Sequence, residues 1–344
     1  MFAKLHKSAQ NQSSSPRALV LHGLLGNTRN WLSVAKTLSE PPPGASHSPI
    51  DALCMDWRNH GKSPHIYSTP HSIQSLSQDL TDVLLFNSDG MASSCHKERQ
   101  LADVWGPKTD NMEWTIPTKE AFPEEFAVPS RLVTSPTDRP PLFLIAHSMG
   151  GAAAMHALCS NLELWEKVSG AVIVDIGPCQ RPPYTRRLQD AVKSLQSIPL
   201  NSLSSRKEVE SWLLLNGPQH VFRPKDNTPT TESIWLARYL LSNLSTSGNI
   251  NWEINLDSIG QGLEKLAWEL NPPLVKKCPI PTMFIFGGSS PYLTETTAQE
   301  SIPKFFERSE IKVIPNAGHF LFLDRRKEFC EIVSKFCGGG YREF

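Results

Sequence analysis

Short apolar runs that end at glycine or at a charged residue recur along the chain, and most are followed by a segment with helical spacing. Arg17-Ala-Leu-Val-Leu21 runs into His22-Gly23 and reads as a buried parallel strand, because it is apolar throughout rather than alternating. Asn27 stands where a helix cap belongs, and Trp31, Val34, Ala35 and Leu38 then fall at i, i+3, i+4 and i+7 until Pro41-Pro-Pro-Gly44 stops the helix. Residues 50–55 form a second strand, closed by the turn Asp56-Trp-Arg-Asn-His-Gly61, and Ile73, Leu76, Leu80, Val83 and Leu84 make the next helical face. Leu142-Phe-Leu-Ile-Ala146 and a small-residue helix over 150–159 repeat the unit. Later strands are Ala171-Val-Ile-Val174, Thr282-Met-Phe-Ile-Phe286 and Ile311-Lys-Val-Ile314, and a closing helix over about 324–336 ends before Gly338-Gly-Gly340. Such alternation predicts an α/β fold with a doubly wound, mostly parallel sheet.

Two stretches interrupt the alternation. Residues 87–140 carry scattered prolines and mixed charges without a sustained period, so they read as a surface insertion with too little apolar content for a core of its own. Residues 177–273 read as mainly helical, with Leu188, Val192 and Leu195 on one apolar face and Ile234, Leu236, Leu240 and Leu241 on another. The expected organisation is therefore a flexible leader (1–16), a core built from 17–176 and 274–337, and a helical cap (177–273) inserted between strands.

Composition narrows the function classes. The 34 Lys+Arg residues are matched by 34 Asp+Glu, and 39% of the chain is apolar, which excludes a charged disordered tail and offers no basic excess for nucleic acid. No run approaches the roughly 20 apolar residues of a membrane span, so a soluble protein is expected. Seven cysteines without a C-x-x-C pair suit neither a disulfide scaffold nor a zinc site and point to a reducing, intracellular compartment. Residues 1–17 lack acidic side chains and mildly resemble an organellar transit peptide, although an exposed serine-rich leader is the plainer reading. Gly61-Lys-Ser63 is not a phosphate loop, since Asp56 stands where its first glycine belongs. Six histidines between 22 and 96 lack ligand spacing, and no metal is expected.

The chemistry concentrates at strand ends. Ala146-His-Ser-Met-Gly-Gly151 lies between an apolar strand and a small-residue helix, where a sharp turn can lift the Ser148 hydroxyl above the sheet. Ala146 replaces the first glycine of the usual G-x-S-x-G. His22-Gly-Leu-Leu-Gly26 follows the first clear strand, and the N–H groups of Leu24 and Met149 are the expected oxyanion donors. His319, in Pro315-Asn-Ala-Gly-His319 after the last strand, is the candidate general base. The acid is less determined. Phe286-Gly-Gly-Ser-Ser-Pro-Tyr-Leu293, where it would commonly stand, holds no carboxylate, which leaves Asp175 at the end of a strand, with Asp257 and Glu295 as alternatives. Trp212, Trp235 and Phe320 are candidate pocket walls, a role that plain core packing explains equally well.

His22-Gly-Leu-Leu-Gly26, Asp56-Trp-Arg-Asn-His-Gly-Lys-Ser-Pro64, His147-Ser-Met-Gly-Gly151, Val174-Asp-Ile-Gly-Pro178 and Asn316-Ala-Gly-His319 together resemble the α/β-hydrolase superfamily and, within it, the abhydrolase-domain esterases. The likeness covers most of residues 17–337 and extends to Ser77-Gln-Asp-Leu80, Leu241-Ser-Asn-Leu244 and a cap strand over 252–257. The 87–140 stretch, Ala146 and the short leader depart from the family, with residues 2–7 available for one of its first two strands. The resemblance implies a serine hydrolase of carboxylic esters, extending to thioesters or lipids, with no cofactor, an acid supplied from the Asp175 strand, and a mitochondrial location in eukaryotic members. A competing reading is an idle hydrolase fold that binds or protects a partner protein through 87–140, since fold does not fix function. A decayed site would be expected to have lost one of Ser148, His319 or the carboxylate. A dehalogenase or epoxide hydrolase would need a carboxylate at position 148.

Overall fold

The structure, a computed structural model, describes residues 2–6, 15–41, 48–68, 70–85, 113–115, 140–178, 185–224, 226–245, 249–266, 276–290, 292 and 295–343. In chain order the strands are β1 (Phe2–His6), β2 (Arg17–Leu21), β3 (Asp51–Met55), β4 (Glu113–Thr115), β5 (Leu142–His147), β6 (Gly170–Val174), β7 (Leu244–Ser245), β8 (Asn251–Trp252), β9 (Thr282–Gly287) and β10 (Ser309–Ile314). Among the described residues eight of these form one sheet in the order β10-β9-β6-β5-β2-β3-β1-β4, while β7 and β8 pair separately. Every pairing from β10 to β3 is parallel, and β1 joins β3 and β4 antiparallel at one edge.

The continuous apolar runs fold this way because their alternate residues serve two cores. Leu144 and Ala146 of β5 face one cluster and Phe143 and Ile145 the other, and Ile173 and Val174 of β6 divide in the same manner. Helices α1 (Leu32–Ser39) and α11 (Arg326–Cys337) cover one face through Val34, Leu38, Phe329 and Val333. Helices α2 (Ile73–Leu85), α3 (Met149–Ser160) and α9 (Glu295–Phe305) cover the other. The fold is the expected doubly wound, mostly parallel α/β sheet.

Between β6 and β9 lie α4 (Thr185–Gln196), α5 (Arg206–Asn216), α6 (Gln219–Phe222), α7 (Thr231–Leu240) and α8 (Leu256–Leu266). The starts of α5 and α7 are capped by side chains: Ser205 Oγ accepts from Glu208 N–H, and Thr230 and Ser233 form a reciprocal box. The expected cap strand over 252–257 is instead the two residues of β8 followed by α8. Asn255 makes the difference, because its Oδ1 accepts from Ser258 N–H at 3.1 Å and starts a helix. The closing helix is split into α10 (Leu321–Asp324) and α11 by the non-helical Arg325. Part of the expected leader is also ordered into the sheet: β1 pairs Ala3 to His6 against Met55 to Ala52, and Ala3 is buried. The 87–140 stretch lies outside the described residues except for β4 and Pro140. No helix among the described residues is long and apolar enough to cross a membrane.

Candidate active site

Ser148 sits at the turn from β5 into α3 with φ 51 and ψ −118, a strained conformation of the kind that costs about 1–3 kcal/mol and persists where the surroundings fix it. Those surroundings are specific. Ser148 N–H donates to Val174 O at 3.0 Å, and Ala152 N–H donates to Ser148 O at 2.9 Å. A Cβ on Gly150 would come within 2.6 Å of His22 O, and one on Gly151 within 2.7 Å of Ile176 Cγ2, so the helix can start this close to the sheet only with glycine at both positions.

The loop after β10 brings His319 over this turn. Its Nε2 lies 3.1 Å from Ser148 Oγ, and its Nδ1 lies 2.6 Å from Asp175 Oδ2. The ring is held from several directions. His147 Nε2–H donates to His319 O at 2.9 Å, Gly318 N–H donates to Asp324 Oδ2 at 2.9 Å, and Tyr292 stacks on the imidazole with centroids 3.9 Å apart. His147 is itself buried, and desolvation together with the neighbouring His319 holds its pKa well below the usual imidazole value.

Asp175 is fully buried at the end of β6, again with positive φ (52). Its Oδ1 accepts from Gly287 N–H at 2.9 Å, and its Oδ2 accepts from the Ser290 hydroxyl as well as facing His319. Of the two other carboxylates considered, Asp257 does not join this chain of hydrogen bonds. Asp257 lies exposed in the first turn of α8 and accepts from Gln196 Nε2 at 2.8 Å, which ties two cap helices together. Glu295 opens α9, and its side chain lies outside the described residues.

The turn after β2 carries Leu24. Neither Leu24 N–H nor Met149 N–H has a hydrogen bond among the described residues, so both amides are available to a ligand beside Ser148. The loop is fixed around them: Leu25 N–H donates to His60 Nε2 at 3.1 Å, and Asn243 Nδ2 donates to Leu25 O at 2.8 Å. His60 Nδ1–H donates to Arg58 O, and burial lowers its pKa to about 4, which keeps the ring neutral and able to accept from Leu25.

Ser148 and His319 open onto a cavity of about 610 Å³ roofed by the cap. Leu24, Met149, Trp235 and Phe320 line it, together with Leu188, Val221, Leu236, Tyr239 and Leu263. Trp212 does not line it. It lies half-buried on α5 beside Val209 and Leu213 and packs against the core. Ser290, Tyr292, Tyr239 and His147 were not singled out for this site. Ser290 and Tyr292 stand in the segment after β9 where a carboxylate was sought, and His147 lies within the quoted elbow. No group of three or more potential ligands that could hold a metal occurs among the described residues. Burial raises the pKa of the Cys278 and Cys330 thiols to about 12, and neither lines the cavity.

The chain is 26% identical over 327 residues to the Mus musculus protein named sn-1-specific diacylglycerol lipase ABHD11, covering 93% of this chain and 80% of that protein. It is 23% identical over 337 residues to esterase YbfF of Escherichia coli, covering 96% of each. Its fold matches a marine microorganism esterase at a TM-score of 0.63, with 23% identity and 97% of each chain covered. The model of the alpha/beta hydrolase family matches residues 18–332, nearly the whole sheet, the cap and all three members of the Ser148–His319–Asp175 chain, and the protein belongs to that family.

Proposed function

We propose that this protein is a serine hydrolase of carboxylic esters. The observation that carries the reading is the unbroken hydrogen-bonded line from Ser148 Oγ through His319 to Asp175, at 3.1 and 2.6 Å, with its hydroxyl end on a largely apolar cavity. In this reading Ser148 Oγ attacks the ester carbonyl carbon while its proton passes to His319 Nε2. Leu24 and Met149 N–H groups bind the tetrahedral oxygen, a contribution of about 3–4 kcal/mol for each such donor. The C–O bond to the alcohol then breaks, and the leaving alkoxide takes the proton from His319. Water, deprotonated by the same nitrogen, attacks the acyl-enzyme and releases the acid. Asp175 holds the imidazole tautomer and stabilises the imidazolium.

Two points support this reaction class. A serine at position 148 supports an acyl-enzyme, where an epoxide-opening or dehalogenating relative would use a carboxylate. The apolar cap wall, with Leu188, Val221, Leu236 and Leu263, favours acyl chains, and lipid esters belong to the proposed range because the mouse relative is named a diacylglycerol lipase. Labelling with a fluorophosphonate probe, wild type beside Ser148→Ala, tests the reading. The wild type is expected to label and to hydrolyse p-nitrophenyl butyrate, with turnover falling at least ~10³-fold in the variant. An unlabelled wild type would leave the partner-binding reading in its place.

A further inference from the structure

One cavity-lining group has no use in the reaction just described. The Tyr239 side chain, at the end of α7, is about 95% buried, and its hydroxyl has no hydrogen-bond partner among the described residues. It lines the cavity that contains Ser148 and His319. The phenol lies against Gly26, on the loop that carries Leu24, so closely that a Cβ on Gly26 would overlap it. Burial pushes its pKa above the ordinary phenol value, so it stays protonated and remains a donor. A buried hydroxyl without an acceptor is unfavourable unless something in the cavity accepts from it.

The neighbours say which part of an ester that acceptor belongs to. Tyr239 packs on Phe320 with ring centroids 4.4 Å apart, and Phe320 in turn packs on His319 at 5.3 Å. His319 Nε2 must reach the oxygen of the departing alcohol, so the alcohol portion lies on the His319 side of the scissile carbonyl. Tyr239 is one ring beyond Phe320 on that side of the cavity, in place for an oxygen farther along the alcohol.

We propose that Tyr239 Oη is a substrate-recognition donor that hydrogen-bonds an oxygen carried by the alcohol portion of the ester, and that the substrates are therefore esters of polyols rather than of simple alkanols. This rests on the esterase reading above. A site built to bond a hydroxyl discriminates strongly against an analogue without one.

The test compares glyceryl monobutyrate with propyl butyrate, which share the acyl group and the three-carbon alcohol and differ in two hydroxyls. Wild type is expected to prefer the glyceryl ester in kcat/KM, and Tyr239→Phe is expected to lower the ratio of the two values by about 10-fold or more. An unchanged ratio, whether both activities fall together or neither moves, would overturn the proposal. It would assign the phenol to packing, to the oxyanion or to a trapped water. If wild type hydrolysed neither ester, the esterase reading itself would fail. Calorimetric binding of the same two esters to Ser148→Ala, with and without Tyr239→Phe, then decides the point without turnover. Selective weakening of glyceryl ester binding by Tyr239→Phe supports the proposal, and equal effects on both esters reject it.

Discussion

The carboxylate of Asp175 is gripped by Gly287 N–H, the Ser290 hydroxyl and His319 Nδ1, so both oxygens are committed and the imidazole has one orientation open to it. Asparagine at 175 would keep the size and lose the charge, presenting the ring with an amide that favours the wrong tautomer. Asp175→Asn is therefore expected to lower kcat on p-nitrophenyl butyrate by about 10⁴-fold, while Asp257→Asn, which disturbs only the Gln196 contact, stays close to wild type. Steady-state kinetics on the two variants check this, and the reverse ranking would move the acid's role to the cap. At this scale the sequence spoke unevenly. Ser148 and His319 stood out because nucleophile elbows and terminal-loop histidines have local patterns. Asp175 emerged from its place at a strand end, from the carboxylate missing after Phe286 and from the family resemblance, not from a local motif. Ser290 left no signal, since a serine in a Gly-Gly-Ser-Ser turn looks like any loop residue until the β6 and β9 ends are side by side. Trp212 stayed open between pocket wall and core packing, because an aromatic at helical spacing does not disclose whether it faces the cavity or the core, and the structure gives core packing.

The Gly23–Asn27 turn is held less by its own residues than by elements far along the chain. Asn243, just before β7, donates to Leu25 O, and its Oδ1 accepts from Asn27 Nδ2 at 3.0 Å and Gly61 N–H at 3.2 Å. One cap side chain thus pins the β2 turn and the β3 turn together. Asn243→Ala leaves these buried groups without partners, at a cost of roughly 1–3 kcal/mol of stability, and frees the loop that aims Leu24 N–H. The expected outcome is a kcat reduced by about 10–100-fold, part of what a whole oxyanion donor contributes, with a smaller change in KM. Kinetics read beside thermal melting separate the two roles, because a purely structural Asn243 would lower the melting temperature and leave kcat intact. The strands and helices of the core were legible because apolar spacing reports which faces are covered. The β1 pairing was less so: β1 is only five residues long and its second neighbour β4 only three, so too few positions carry a pattern to announce it. The cap strand expected over 252–257 came from the family resemblance, and the Asn255 cap starts a helix within it instead.

Across the whole molecule, an unusual share of the polar interior is imidazole. His22, His60, His71 and His147 are all buried, and desolvation is the largest cause lowering each pKa, that of His60 to about 4. Two of these rings are required to be neutral by what they accept: Leu25 N–H at His60 and Trp57 N–H at His22. Unfolded, a histidine takes up a proton below about pH 6.5, whereas folded His60 does so only near 4. Between those values the unfolded chain binds more protons, so the contribution is fully present above about 6.5 and is lost as pH falls toward 4. Asp56 works in the opposite sense. Burial raises its carboxyl from 3.8 to about 6, so between those values the folded chain keeps a proton that the unfolded chain has released. Asp79, raised by burial despite its pairing with Arg58, acts in the same direction as Asp56. Four histidines outweigh two carboxyls, and above pH 6 the histidines act without opposition from Asp56. The melting temperature is therefore expected to fall as pH drops below about 6.5 toward 5, with each uncompensated histidine worth about 1.4 kcal/mol per pH unit. In His60→Gln, glutamine Oε1 can still accept from Leu25 N–H while the titration is gone, so the pH dependence should flatten by that amount and melting at pH 7 should change little. Calorimetric scans at constant ionic strength from pH 5 to pH 7 read both slopes. Identical slopes for the two proteins would mean that His60 carries its proton in the folded state as readily as in the unfolded one, which its bond to Leu25 N–H forbids.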